Sequence, residues 1–355
     1  MNSTLKHLKM RLVSCIFVTV LTTLLLTAQV AQAAALTCGA WSLVKSPNAG
    51  GIVPSLYGVA AVSKSDVWAV GDYLTGGYQS LIDHWNGTQW KMIPSPKPPL
   101  NFTDTFLTAV TAVSASNVWA VGYTCNIPQC EGGSSLVYYT LIEHWDGTSW
   151  SVASSTGDYG YFFLTAVTAV SANDIWAVGD YYSNSSSGPF QTLIEHWNGT
   201  SWQVVSSPNL GSGDNKLNGV TTVSANNIWA VGNFYNTNSR TYQTLTEHWN
   251  GTQWSIVTSR NVAGSVSNIL KGVASLSASN VWAIGQYTNA SQSTQTLIEH
   301  WNGTKWSLVP NAGLSSFLSY FTGVARVAGT GQLWAVGSYN TTKGSTRLTL
   351  TEFYC

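Results

Sequence analysis

One tryptophan-centred core, Trp-Ala-Val-Gly or Trp-Ala-Ile-Gly, returns along this chain at Trp68, Trp119, Trp176, Trp229, Trp282 and Trp334, at spacings of 51, 57, 53, 53 and 52 residues. A period near fifty marks an array of small supersecondary units, each of which stays dry only against its neighbours. The clearest copy is 164–208, where four short runs rich in Val, Ile, Thr and Trp are separated by turn formers. None of these runs has the three-to-four spacing of an amphipathic helix, so each copy reads as four strands. We place strand A at 164–170, B at 174–179, C at 192–197 and D at 200–205. Asn198-Gly199 between C and D tolerates the positive φ of a two-residue type I′ hairpin. That register would set Trp197 opposite Thr200, His196 opposite Ser201 and Glu195 opposite Trp202.

A lone four-stranded sheet cannot bury two apolar faces, so the copies are expected to stack around an axis as an all-β, six-bladed β-propeller with four antiparallel strands per blade. The blades fall near 56–94, 107–153, 164–206, 217–258, 270–309 and 321–355. Small strand A residues suit the inner edge, and the tryptophans of B, C and D suit the wide outer part. The sixth copy stops after strand C, whereas 39–46, with Trp41, matches strand D and has no A, B or C before it. The ring is therefore expected to be closed by this N-terminal strand joining the last blade. In that alignment Cys38 and Cys355 take the places of the turn residues Gly87 and Asn86. A Cys38–Cys355 disulfide is expected, worth about 2–5 kcal/mol as a staple on nearly the whole chain. Cys125 and Cys130, in Cys-Asn-Ile-Pro-Gln-Cys, are expected to form a local disulfide, since no Cys/His spacing of a zinc site appears.

Residues 1–33 read as a secretory signal: Lys6, Lys9 and Arg11, an apolar run over 12–28, then Ala31-Gln32-Ala33. Residues 34–355 form one domain, with no membrane attachment after cleavage and a secreted or cell-surface destination. Charged residues are 8% of the chain and the net charge is zero, which leaves no basic footprint for nucleic acid. A monomer is expected.

The pairing of Val-Trp-Ala-Val-Gly with a later Ile-Glu-His-Trp-Asn-Gly-Thr-Ser-Trp resembles the kelch repeat. Kelch repeats carry two glycines, but here Gly71, Gly122, Gly179, Gly232, Gly285 and Gly337 are each followed by Asp72, Tyr123, Asp180, Asn233, Gln286 or Ser338. The resemblance implies a propeller, and it does not imply an activity. Galactose-oxidase-like enzymes hold copper on a related propeller. Here His84, His144, His196, His248 and His300 are repeat positions on separate blades and cannot converge, so no metal and no cofactor are expected.

Asp83, Glu143, Glu195, Glu247, Glu299 and Glu352 recur once per blade, which points to interblade hydrogen bonds and away from catalysis. What is not repeated is the set of long connections from B to C and from D to A, which emerge on one face of the ring. That face is rich in aromatic residues among Ser, Asn and Gly, and its candidate ligand contacts are Phe102, Tyr138, Tyr161, Phe190, Tyr235, Tyr287 and Tyr320. Rigid rings beside neutral hydrogen-bonding groups suit an extracellular glycan or protein. The expected function is a non-catalytic binding or scaffold module. The alternative is a glycosidase or lyase using loop carboxylates, for which Asp104, Glu131, Asp158 and Asp214 are available.

Overall fold

The computed structural model describes residues 44–47, 52–97, 102, 104–127, 130, 136–155, 160–182, 188–310, 318–342 and 346–355. The chain divides into 1–45, of which only the exposed Val44 and Lys45 are described, and 46–355, which holds every strand among the described residues. The expected signal over 1–33, Cys38 and Trp41 lie outside the described residues. No helix among those residues is long and apolar enough to cross a membrane.

The strands follow in chain order as antiparallel meanders. The first unit is β1 (Ile52–Ser63), β2 (Asp66–Leu74), β3 (Tyr78–Trp85) and β4 (Trp90–Met92). The second is β5 (Asp104–Ser114), β6 (Asn117–Cys125), β7 (Tyr138–Trp145) and β8 (Trp150–Val152). The third is β9 (Tyr161–Ser171), β10 (Asp174–Tyr182), β11 (Gln191–Trp197) and β12 (Trp202–Val204). The fourth is β13 (Asn215–Ser224), β14 (Asn227–Asn236), β15 (Thr241–Trp249) and β16 (Trp254–Ile256). The fifth is β17 (Ser265–Ser277), β18 (Asn280–Asn289), β19 (Thr294–Trp301) and β20 (Trp306–Leu308). The last has three strands among the described residues, β21 (Leu318–Arg326), β22 (Leu333–Asn340) and β23 (Leu348–Tyr354).

The glycine of the repeated core is explained by a bulge. Leu164 pairs with Gly179 and Ala166 with Val178, so Thr165 is the extra residue on β9. A Cβ on Gly179 would stand 1.8 Å from the Phe163 carbonyl oxygen, so only glycine fits. The bulge frees Thr165 Oγ1 to donate to Leu217 O of the following unit at 2.6 Å. Thr108 does the same to Leu164 O at 2.8 Å. One backbone irregularity thus sets both the local twist and the stitch to the neighbour.

The hairpin between C and D differs from its expected register. Trp197 faces Trp202, His196 faces Gln203 and Glu195 faces Val204, leaving a four-residue loop over 198–201. The Asn198 Oδ1 atom accepts from Thr200 N, Thr200 Oγ1 and Ser201 N, and Gly199 has φ +92°. The asparagine side chain takes the amides that a two-residue turn would have given to the ladder. The same substitution occurs at Asn86, Asp146, Asn250 and Asn302.

The cores lie between units. Trp119, Val121 and Ile142 of the second unit pack with Leu164, Ile175, Leu193 and Trp202 of the third, and equivalent clusters recur at the next junctions. The recurring histidine completes a polar clasp at the outer rim: His196 Nε2 lies 2.9 Å from Asp174 Oδ1, which also accepts from Trp176 Nε1 at 2.7 Å, and the two rings stack at 4.1 Å.

The expected ring closure is not what the structure shows. β1, β5, β9, β13, β17 and β21 each lie against the next, but among the described residues β21 is not packed against β1. In keeping with that gap, Val59 is 68% exposed and Leu56, Val336 and Phe353 are also open to solvent. Cys355 carries a free, exposed thiol where a bridge to Cys38 was expected.

Candidate ligand-binding face

The ends of strands B and the starts of strands A and C meet at one pole, and here the first two units enclose a cavity of about 560 Å³. Its walls are Tyr57 from β1, Asp72 from β2, Tyr78 from β3, Phe106 and Thr108 from β5, Tyr123 from β6, Cys130 and Tyr138. The rings lean on one another: Tyr78 to Phe106 at 4.8 Å, Phe106 stacked on Tyr123 at 4.7 Å, and Tyr123 edge-on to Tyr138 at 5.9 Å between centroids. Tyr138 also donates its hydroxyl to Cys130 O at 3.2 Å.

Asp72 is the cavity's carboxylate. Burial pushes it above the usual carboxylate range, partly offset by a hydrogen bond from the Tyr57 side chain. Burial likewise pushes the Tyr123 phenol up to about 12. The cavity therefore offers neutral hydroxyls, one hydrogen-bonded acid and several aromatic faces.

The aromatic chain continues beyond the cavity. Tyr138 packs on Phe163 at 4.7 Å and on Tyr161 at 5.6 Å, Tyr161 stacks on Tyr182 at 4.2 Å, and Phe190 meets Tyr182 edge-on at 4.5 Å. At its far end Lys216 Nζ sits 3.4 Å over the Phe190 ring and 3.4 Å from Asp180 Oδ2. Burial of Asp180 pushes its carboxyl up to about 6 against the opposing pull of Lys216.

Of the residues expected from sequence, Tyr138, Tyr161 and Phe190 thus share one surface. The other four stand apart. Phe102 packs on Tyr139 at 4.9 Å, Tyr235 on Tyr242 at 5.1 Å, and Tyr320 lies 5.6 Å from the Arg347 guanidinium. Tyr287 is partly buried in the core between later units, beside a separate cavity with Val262 and Pro310. Sequence reasoning missed Tyr57, Asp72, Phe106 and Tyr123, which sit on strands and not in loops. A signal existed, because Asp72 and Tyr123 occupy the variable place behind the invariant glycine.

Asp104 is fully buried and accepts the Tyr78 amide, and Asp214 accepts the Phe190 amide at 2.9 Å. Glu131 and Asp158 lie outside the described residues. The Cys125–Cys130 disulfide is formed, and although Asp104 stands beside it, bonded sulfurs leave no thiolate for a metal.

The architecture is that of a β-propeller, as solved structures show. The chain is similar to Penicillium chrysogenum α-L-arabinanase complexed with arabinobiose, with TM-score 0.50, 11% identity and coverage of 86% of this chain and 96% of that one. It is also similar to an ulvan lyase of a polysaccharide lyase family, with TM-score 0.51, 8% identity and coverage of 72% and 66%. The SapL1 lectin in complex with α-methyl fucoside aligns at TM-score 0.47, with 14% identity and coverage of 84% and 92%. At such identities the likeness shows the fold alone. No family model and no curated protein matches the chain.

Proposed function

We propose that this protein is a secreted, non-catalytic β-propeller of six units shut into a ring, and that it binds an extracellular glycan at the pole where its aromatic side chains gather. The observation that carries the reading is the cavity walled by Tyr57, Tyr78, Phe106, Tyr123 and Tyr138 beside Asp72. Pyranose rings present apolar C–H faces that stack on aromatic planes, and hydroxyls that suit a carboxylate and phenols. The run of rings from Tyr138 to Phe190 extends the surface for a chain longer than one sugar. Without 1–33, which hold Lys6, Lys9 and Arg11, the 15 Lys and Arg fall to 12 against 15 Asp and Glu, a net charge of −3 that does not attract a polyanion, so neutral glycans fit best.

The test is a glycan array probed with the mature, folded chain. Binding to one neutral saccharide series, lost when Tyr57 and Tyr138 are both changed to alanine, supports the reading. A blank array from folded protein, or binding that survives the double substitution, overturns it.

A further inference from the structure

Near its end, strand A keeps a small residue at one fixed place in five of the six units. Ala61, Ala112, Ala169, Thr222 and Ser275 stand opposite the first apolar residue of strand B, at Val67, Val118, Ile175, Ile228 and Val281. In the last unit the same place, opposite Leu333, is held by Arg326. A position that takes alanine in three units has no packing use for a guanidinium, so the repeat does not account for this arginine.

Side chains at this place reach back to the unit before. Ser275 Oγ donates to Thr222 O at 2.8 Å, and Thr222 Oγ1 reaches Ala169 O at 3.5 Å. Arg326 continues that row. It lines a cavity of about 270 Å³ together with Thr168, Thr221, Thr222 and Ser275. The walls come from β9, β13, β17 and β21, which pack in succession, and they include no carboxylate.

Counting donors separates the occupied hydroxyls from the open ones. Ser275 gives its single hydroxyl proton to Thr222 O, so across the 3.2 Å contact between Thr221 Oγ1 and Ser275 Oγ the threonine is the donor. Both are thereby satisfied. The Thr222 contact is at the outer limit of a hydrogen bond, which leaves that hydroxyl free to turn. The Thr168 hydroxyl has no partner among the described residues. Arg326 has none either: the ion pairs found there are those of Asp66, Asp174 and Asp180 with other residues.

We propose that this cavity is an anion site, taking a small tetrahedral oxyanion of the phosphate or sulfate class on the Arg326 guanidinium and the hydroxyls of Thr168 and Thr222. The planar guanidinium presents paired donors that match two oxygens of one anion. A carboxylate would be satisfied by that fork alone, whereas a tetrahedral ion has further oxygens for hydroxyls on β9 and β13. The cavity is several times the roughly 30 Å³ share of one water, so the ion enters with part of its hydration shell. Residues 34–355 carry 12 Lys and Arg against 15 Asp and Glu, so the ligand is a small ion held at contact and not a polyanion drawn from a distance. Thr168 lies seven residues along β9 from Tyr161, roughly 20 Å at the rise of a strand. The site is therefore separate from the aromatic pole and does not rest on the glycan reading.

The test is a ³¹P NMR titration of inorganic phosphate with the full mature chain, at constant ionic strength balanced with chloride. Saturable broadening that sulfate reverses is expected. Arg326→Ala should abolish it, and Arg326→Lys, which keeps the charge and loses the fork, should weaken Kd about tenfold. Thr168→Val keeps the shape, removes one donor and should weaken Kd about fivefold. Circular dichroism melts verify that each variant is folded, and Thr168→Val carries the test should Arg326→Ala not fold. Running glucose 6-phosphate beside inorganic phosphate identifies the source, since tighter binding of the first assigns a phosphate ester and of the second the free ion. No saturable broadening with the native chain overturns the proposal, as does unchanged binding in Arg326→Ala. Native affinity in Arg326→Lys overturns it too, because charge alone would then suffice.

Discussion

Ser155 Oγ lies 2.9 and 2.8 Å from the two carboxylate oxygens of Glu195, which belongs to the next unit and is fully buried. The pair ties strand D of one sheet to strand C of its neighbour. Burial pushes the Glu195 carboxyl up to about 7, and the hydrogen bonds from Ser155 and Thr140 offset only part of that rise. Between its unfolded value near 4.5 and about 7 the folded state holds a proton that the unfolded state has lost. The contribution is present below pH 4.5 and disappears as pH rises through 7, by an upper bound of about 3 kcal/mol. We expect Glu195→Gln to gain Tm relative to the native chain as pH goes from 5 to 8.5. Parallel Tm curves for the two proteins would show that the acid is not titrating in this way.

Trp202 is fully buried and edge-on to Trp119 across the same junction. Trp202→Ala removes a whole indole from that core, and the β-sheet backbone around it cannot collapse into the void. A loss of about 3–5 kcal/mol is expected. Chemical denaturation should show a lower midpoint, and a change below 1 kcal/mol would contradict the packing described.

These two positions show what could be read in advance. Tryptophan spacing and the once-per-unit acid follow from a periodic constraint, and periodicity is visible in a single chain. The hairpin register was not readable, because Asn-Gly allows a two-residue turn as readily as the Asx loop that Asn198 builds, and only the Trp197–Trp202 pairing decides between them. The ligand face was half readable. Tyr138, Tyr161 and Phe190 stood out beside the variable loops, but Tyr57 is the extra residue of the β1 bulge and Tyr123 lies within β6 opposite Phe106, strand positions that loop variability does not mark.

Gly179 offers a sharper test of the bulge. Its added Cβ would fall 1.8 Å from Phe163 O, whereas one on Gly188 meets nothing within 4 Å. Gly179→Ala should abolish soluble expression or lower Tm far more than Gly188→Ala, which should be close to neutral. Similar melting of the two variants would mean that the glycine is not needed for the backbone's approach.

Cys355 ends β23 with an exposed thiol, at the place where the other units turn from strand C into strand D. If 39–46 takes that strand D position, Cys38 arrives opposite it. In an oxidising compartment, exchange with disulfide carriers would then join the two. Non-reducing peptide mapping of protein secreted from such a compartment should recover Cys38 linked to Cys355 and Cys125 linked to Cys130. Recovery of Cys38 and Cys355 as free thiols would refute the first bond without touching the second, which is already present.

The binding reading makes an unequal demand on the tyrosines. Tyr57 is 60% exposed and Tyr138 lines the cavity beside it, so truncating either removes stacking surface with little cost to the core. Tyr287 is a partly buried core residue beside a different cavity. For a saccharide identified on an array, Tyr57→Ala and Tyr138→Ala should each weaken Kd about tenfold, a loss of about 1.4 kcal/mol. Tyr287→Ala should reduce stability and leave Kd unchanged in the folded fraction. Calorimetric titration separates the two effects, since affinity and active concentration are fitted independently. If Tyr287→Ala weakened Kd as much as Tyr57→Ala, the site would have to be moved from the first two units to the cavity between later ones.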